Sequence, residues 1–486
     1  MISRPLSVAL LLATAAPLAA QSSPQGTAAP EVAATPANED ARPLDPAALS
    51  PRVAQARDAA LFDRVAYDLV RDLTTQIGPR MAGTAAEAKA RAWAVARLKA
   101  MGFANVRIEP FDLPVWERGE ERAEVVAPYP HKLAVTALGN SVSTGVAGLT
   151  LPVAYFETLS DLRAVPDGSL KGRIAFVSHQ MTPTQDGSSY GAFGPARFVG
   201  ASVASQKGAA AIVIRSAGTD HHRNPHTGGT NFAEGVSPIP AGALSIPDAE
   251  LVERMIAEGR EVILHLTLTP EPVRPGQSGN VIAEVPGSDP AAPPIVIGGH
   301  LDSWDLATGA IDDGAGVAIT TAAAKRLLDA GGGRRTVRIV WFGAEETGLW
   351  GGKAYAAAHG SEPHAFGAES DFGADRIWSF DAQFAPAAKP ALDRLARALA
   401  PLGIGKGKDE SSGGPDIGPL ATLGVPALEM SQDGTRYFDL HHTPDDTFDK
   451  IDPDQMAQNV AAWTAMLFVM ADAPEVLSTR VVRPEE

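Results

Sequence analysis

The chain has 486 residues, with 57 acidic side chains against 41 lysines and arginines, a formal net charge of −16 and no cysteine. The negative surplus argues against nucleic acid or anionic membrane as a partner, since both reward basic patches. Without cysteine there is no disulfide, lipidated cysteine or thiolate metal site, so any metal must be held by His, Asp and Glu, a set suited to zinc, manganese or cobalt.

In chain order, "MISRPLSVALLLATAAPLAAQSS" places Arg4 before an apolar run and ends in small residues at Ala19 and Ala20. That is the pattern of a secretory signal over 1–20, and the run is shorter than the roughly 20 residues a membrane span needs. Residues 21–56 are rich in Pro, Ala and Ser and predict a disordered linker. "AALFDRVAYDLVRDLTTQIG" and "GTAAEAKARAWAVARLKAMGF" space apolar residues three and four apart, predicting two helices that end at Gly78 and Gly102. A strand, "NVRIEPFDLPVWE", follows. Residues 119–275 change style to short strands and helices, as a compact insert with its own core would. Its "HHRNPHTGGTNF" carries His221, His222 and His226 with no acidic partner at ligand spacing, and reads as an exposed loop.

From 276 to 475 strand and helix alternate: "NVIAEVPG", "PPIVIGG", "RTVRIVWFGA", "RIWSFDAQ" and "GVPALEM" as strands, 315–328 as a helix, and a last helix capped by Asp452. The expected fold class is α/β: a mostly parallel central sheet flanked by helices, built from 57–118 and 276–475, carrying the 119–275 insert and ending in a tail at 476–486.

The stretch "GGHLDSWDLATGAIDDGAG" sets one histidine and four aspartates directly after a buried-looking strand. Desolvated, uncompensated carboxylates cost several kcal/mol each, and a metal would supply the missing cation. Ligands of open α/β sheets gather beyond the carboxyl ends of the strands, where His300, Asp302, Asp312, Asp313, Glu345, Glu346, Asp381, His441 and His442 are expected. His300 and Asp302, at i and i+2, suit an imidazole oriented by a carboxylate. Adjacent side chains on extended backbone diverge, so of Glu345 and Glu346 one can bind metal while the other stands over the attacked water.

"GHLDSWD", "GAIDDGAG", "AEETGLWG", "SFDAQ" and "HHTPDDTFDKIDPDQM" together resemble the M28 family of co-catalytic zinc peptidases, as do "GPRMAGT", "WERGEE" and "NPHTGG". The resemblance spans nearly all of the mature chain, and the insert looks like a protease-associated domain. It implies two zinc ions per chain: His300 and Asp381 on one, Glu346 and His442 on the other, Asp312 bridging. Asp302 would orient His300 and Glu345 would be the general base. It also implies a cis peptide between Asp312 and Asp313. The implied protein is a secreted or periplasmic exopeptidase of the carboxypeptidase or dipeptidase kind. Its partner is a peptide substrate, with no membrane anchor after signal cleavage and a homodimer left open.

The loop "GKDESSGGPDIG" lacks the oxyanion tyrosine carried by the aminopeptidases of the family, which leaves Tyr437 as a candidate. Polarity stays open: Arg436 could pair a substrate carboxylate or sit on the surface. An M20-type metallohydrolase is disfavoured by the short interval from His300 to Asp312, and a metal-free binding ectodomain by the full ligand set.

Overall fold

The computed structural model describes residues 49–482. The expected signal at 1–20, the linker up to 48 and the tail from 483 lie outside them. One part of the expected linker is a helix: Pro51–Ala60 starts at Ser50, whose side chain accepts from Arg52 N, and buries Val53 and Ala60 in the main core. Its Pro/Ala composition suggested a linker, but alanine is the best helix former and proline is welcome in the first turn.

The larger sheet runs in the order Ala104–Val115, Arg274–Val285, Val337–Phe342, Ile295–His300, Phe366–Glu369, Ala427–Gln432, Ile377–Gln383, Gly405–Lys406. Its four central members are parallel, from Val337–Phe342 to Ala427–Gln432. Both flanks turn: Arg274–Val285 is antiparallel to Val337–Phe342, and Ile377–Gln383 is antiparallel to Ala427–Gln432. The sheet is therefore mixed, with a parallel centre and antiparallel margins. Strands such as "IVIGGH" are buried along their whole length because helices cover both faces. Two of those helices, Ala315–Asp329 and Pro453–Met470, are buried on most sides, and Asp452 caps the second by accepting from Asp454 N and Gln455 N.

A second sheet is drawn from chain between 119 and 275, in the order His131–Leu133, Glu121–Ala127, Ile263–Leu268, Leu149–Phe156, Ile174–Val177, Ala211–Arg215, Ala241–Leu244, Val135–Ala137. It has hydrophobic clusters of its own, one of which takes in Met81 and Trp304 from the larger half. Arg118, from "WERGEE", ties the halves together: it donates to Asp305 of the larger half and to Glu121, the Ala137 carbonyl and Thr227 of the insert. Among the described residues no helix is long and apolar enough to cross a membrane.

Glu87 lies fully buried in the first domain segment, accepting from the Ser278 hydroxyl at 2.9 Å and paired with Arg91 at 2.8 Å. Burial, opposed by Arg91, pushes its carboxyl up to about 7. Because the folded pKa lies above the ordinary 4.5, the native state holds the extra proton, and the stability this contributes is lost as pH rises from there through 7. Glu87→Gln keeps the contact with Ser278 and removes the titration. Urea unfolding is expected to show the wild type losing up to roughly 3 kcal/mol more than the variant across that window.

Candidate metal centre

The site is built on the carboxyl ends of the parallel strands. Ile295–His300 ends in His300, which is 1 % exposed. Its neighbour Phe366–Glu369 hydrogen-bonds to it, with Ser370 N donating to the Gly298 carbonyl, and so delivers Asp371 to His300: Oδ1 lies 3.4 Å from Nε2. The loop after His300 brings back Asp312, whose Oδ1 is 2.9 Å from the same Nε2. The other oxygen of Asp312 lies 3.0 Å from His442 Nε2, and His442 Nε2 lies 2.8 Å from Glu346 Oε2. Asp312 thus stands between two histidines, His300 with Asp371 on one side and His442 with Glu346 on the other.

The surrounding residues fix this arrangement. Arg80, from "GPRMAGT", is fully buried and donates to the carbonyls of Leu301, Thr308 and Gly309, which pins the loop between His300 and Asp312. Asp446 accepts from Ile311 N at 2.5 Å and Asp312 N at 3.2 Å, buckling the histidine loop to the aspartate loop. The peptide between Asp312 and Asp313 is cis. Both oxygens of Asp313 are taken by backbone, His300 N at 3.0 Å and Gly316 N at 2.9 Å, so Asp313 is a brace and not a free ligand. Gly299 and Gly316 make room for it, since a Cβ at either would overlap the Asp313 carboxylate. Ala344 and His442 both hold φ of 58°, a left-handed backbone that non-glycine residues adopt rarely and mostly at functional sites.

Asp302 faces away from the ligand atoms. Its carboxylate accepts from Glu345 N at 3.1 Å and Glu346 N at 3.4 Å, and it stands 3.6 Å from His300 Nδ1, whose nearer acceptor is the Asp302 carbonyl at 3.1 Å. It orders the two glutamates and the imidazole from one position.

The electrostatics are those of a crowded anionic pocket. Burial, with Asp371 and Glu346 adding to it, pushes the Glu345 carboxyl well above the usual range. Burial and then Asp312 raise Glu346. At His300 burial opposes a charged imidazole, yet Asp371, Asp302 and Asp312 together carry its pKa well above 6.5. At His442 burial is likewise outweighed, chiefly by Glu346, to about 9.

These donors fit a metal. His300, Asp312 and Glu346 offer ligand atoms within 4.8 Å of one another, and Asp371 Oδ1 stands 3.4 Å from His300 Nε2 on the other side. Glu346 Oε1 is buried with no hydrogen bond, a state that costs several kcal/mol for a carboxylate unless a cation meets it. Glu345 belongs to no such group.

Asp381 is not among them. It lies on Ile377–Gln383, opposite Glu429, and its Oδ1 accepts from Lys408 N at 2.6 Å. That strand runs antiparallel to its neighbour, so the carboxyl end carrying Asp381 points away from the ends where His300 and Glu346 lie. Asp371, and not Asp381, is the aspartate that stands beside His300. His226 is the other departure: it is 1 % exposed and its Nε2 lies 2.9 Å from His441 Nδ1, while His221 and His222 are exposed. Burial first, then neighbouring imidazoles and Arg197, holds both His226 and His441 well below 6.5. Tyr437 packs beside His441, ring centres 4.9 Å apart.

Arg436 is committed elsewhere, donating bidentately to Asp375 at 2.6 Å and 2.6 Å. Arg436→Ala is therefore expected to lower the melting midpoint by a few degrees while leaving KM for a free dipeptide within about twofold, checked by calorimetry and steady-state kinetics.

Residues 280–467 match the model of Peptidase family M28. Carboxypeptidase Q of Bos taurus is 32% identical over 415 residues, 85% of this chain and 86% of that protein. The chain belongs to peptidase family M28. An M28 peptidase precursor of Shewanella amazonensis SB2B has a crystal structure that superposes with a TM-score of 0.86 at 45% identity, covering 89% of this chain and 98% of the other. A zinc aminopeptidase from Bacillus subtilis shares the fold at a TM-score of 0.61 and 20% identity, over 86% of this chain and 97% of that one. As an M28 peptidase the chain is a hydrolase, and the cluster at the strand ends lies within the matched segment apart from His226.

Proposed function

We propose that the chain is a co-catalytic dizinc exopeptidase that hydrolyses dipeptides or short peptides, exported to the periplasm or the medium. The observation that carries this reading is Asp312, whose two oxygens reach His300 and His442 on opposite sides. His300 and Asp371 would hold one zinc, Glu346 and His442 the other, with Asp312 shared. The Bacillus subtilis zinc aminopeptidase of the same fold supports the choice of zinc. The signal-like first residues support export, and the insert would be a protease-associated domain.

Metal held by these residues would polarise the scissile carbonyl and lower the pKa of the attacking water towards neutrality. The residues of the chain do the rest. Glu345, fixed through its backbone by Asp302 and kept basic by burial, takes the proton from water and passes it to the leaving amine. Asp302 and Asp446 hold the ligand loops, so the site is set before substrate arrives.

The test is hydrolysis of Ala-Leu, its N-acetyl form and its C-terminal amide, before and after chelation and with zinc restored. Zinc-dependent cleavage of the free dipeptide is expected. Undiminished turnover after complete metal removal, or cleavage only of internal bonds in long peptides, would refute the reading.

A further inference from the structure

Arg197 is a buried guanidinium without a counter-ion. It sits near the end of the insert helix Ser188–Phe198 and is 4 % exposed. Its Nε is buried with no hydrogen-bond partner, and among the described residues no carboxylate lies within ion-pair distance of it. Its nearest company is aromatic: Cζ stands 4.0 Å from the centre of the Phe198 ring and 5.7 Å from that of Tyr190. The other buried guanidiniums are met, Arg118, Arg338 and Arg394 by carboxylates and Arg80 and Arg335 by backbone carbonyls.

The charge lies close enough to His226 and His441 to depress both imidazoles. Tyr190 stacks on Phe438, ring centres 4.3 Å apart, and lies 6.1 Å from the ring of His441, which itself stacks at 3.5 Å on His442. The guanidinium also lies against Gly228, where any Cβ would overlap Nη1, and Thr227 beside it donates its backbone N–H to the His442 carbonyl at 3.0 Å. A second donor lies in the same place: the Tyr190 hydroxyl is buried beside the guanidinium, with no acceptor for its proton.

We propose that Arg197, assisted by the Tyr190 hydroxyl, is the subsite for the free C-terminal carboxylate of the substrate. The inference rests on the peptidase reading above and fixes its polarity: the residue released is the C-terminal one. In a dipeptide the carboxylate lies one residue, roughly 3.8 Å, beyond the scissile carbonyl, so a fixed cation beside the metal centre selects the chain end. The planar guanidinium suits a carboxylate because it can offer two parallel N–H donors, a geometry lysine does not reproduce. Arg197 is a binding residue, and the metal ligands and Glu345 keep their roles without it.

The experiment compares wild type, Arg197→Gln and Arg197→Lys on Ala-Leu and Ala-Leu amide, with melting midpoints as the control for folding. The wild type is expected to prefer the acid over the amide by about 100-fold in kcat/KM. Arg197→Gln should collapse that ratio to near one, mainly through KM for the acid, and Arg197→Lys should fall between. Calorimetry on the metal-free protein, where Ala-Leu is not turned over, should show tighter binding of the acid than of the amide, a difference lost in Arg197→Gln. Equal losses on acid and amide would mark Arg197 as structural and overturn the proposal, as would an unchanged ratio or equal binding of the two ligands. If zinc-loaded wild type cleaves neither, the peptidase reading fails while calorimetry still decides the carboxylate subsite. If it cleaves both equally, the reading stands and the subsite falls.

Discussion

Glu345→Gln is expected to lower kcat on Ala-Leu by about 10²- to 10⁴-fold while both zinc ions stay bound, whereas Glu346→Gln should lose affinity for one zinc. The two side chains are neighbours in sequence yet differ in surroundings. Glu346 Oε2 lies 2.8 Å from His442 Nε2, and its Oε1 is buried without a partner. Glu345 joins no group of converging ligand atoms, and burial keeps its carboxyl basic. An amide at Glu345 keeps the shape and the backbone link to Asp302 but has no basic oxygen for a proton. An amide at Glu346 is a poorer ligand than a carboxylate. Bound zinc per chain and kcat, measured on each variant, separate the roles. Zinc loss in Glu345→Gln with two zinc ions kept in Glu346→Gln would reverse them.

Asp371→Asn and Asp381→Asn should part just as widely. Asp371 stands 3.4 Å from His300 Nε2, while Asp381 is occupied by the amide of Lys408 on the marginal strand Ile377–Gln383. Asp371→Asn is expected to weaken one zinc by at least the roughly 100-fold that losing an outer-sphere partner can cost, and to reduce turnover with it. Asp381→Asn should keep the full metal complement and activity within about threefold, with a modest loss of stability. Competition with a chelator of known affinity reads the first effect directly. Equal zinc affinities in the two variants would return Asp381 to contention.

The contrast between these aspartates shows what a linear sequence conceals. "IVIGG" and "RIVWFGA" announce buried strands through β-branched runs, so His300, Glu345 and Glu346 were legible as strand-end residues. "RIWSFDAQ" reads as a strand equally well, but composition carries no sign of direction, and this strand runs against its neighbour. The strand that does deliver a ligand, Phe366–Glu369, is four residues long and includes Gly367 and Ala368, too short and too weakly β-branched to stand out. His226 was illegible for another reason: it enters the site from a loop of the insert, and no spacing within "NPHTGG" encodes a partner 215 residues away. Arg436 looked available beside the histidine loop, and only the fold brings Asp375 to it.

The most direct measurement is the anomalous scattering of zinc-loaded crystals collected at the zinc edge. Two peaks are expected astride the Asp312 carboxylate, one against His300 and Asp371 and the other against Glu346 and His442. His226, His441 and His442 also offer ligand atoms within 4.8 Å of one another, so a single peak among those three, with none at Asp312, is the result that would contradict a shared-aspartate dizinc centre.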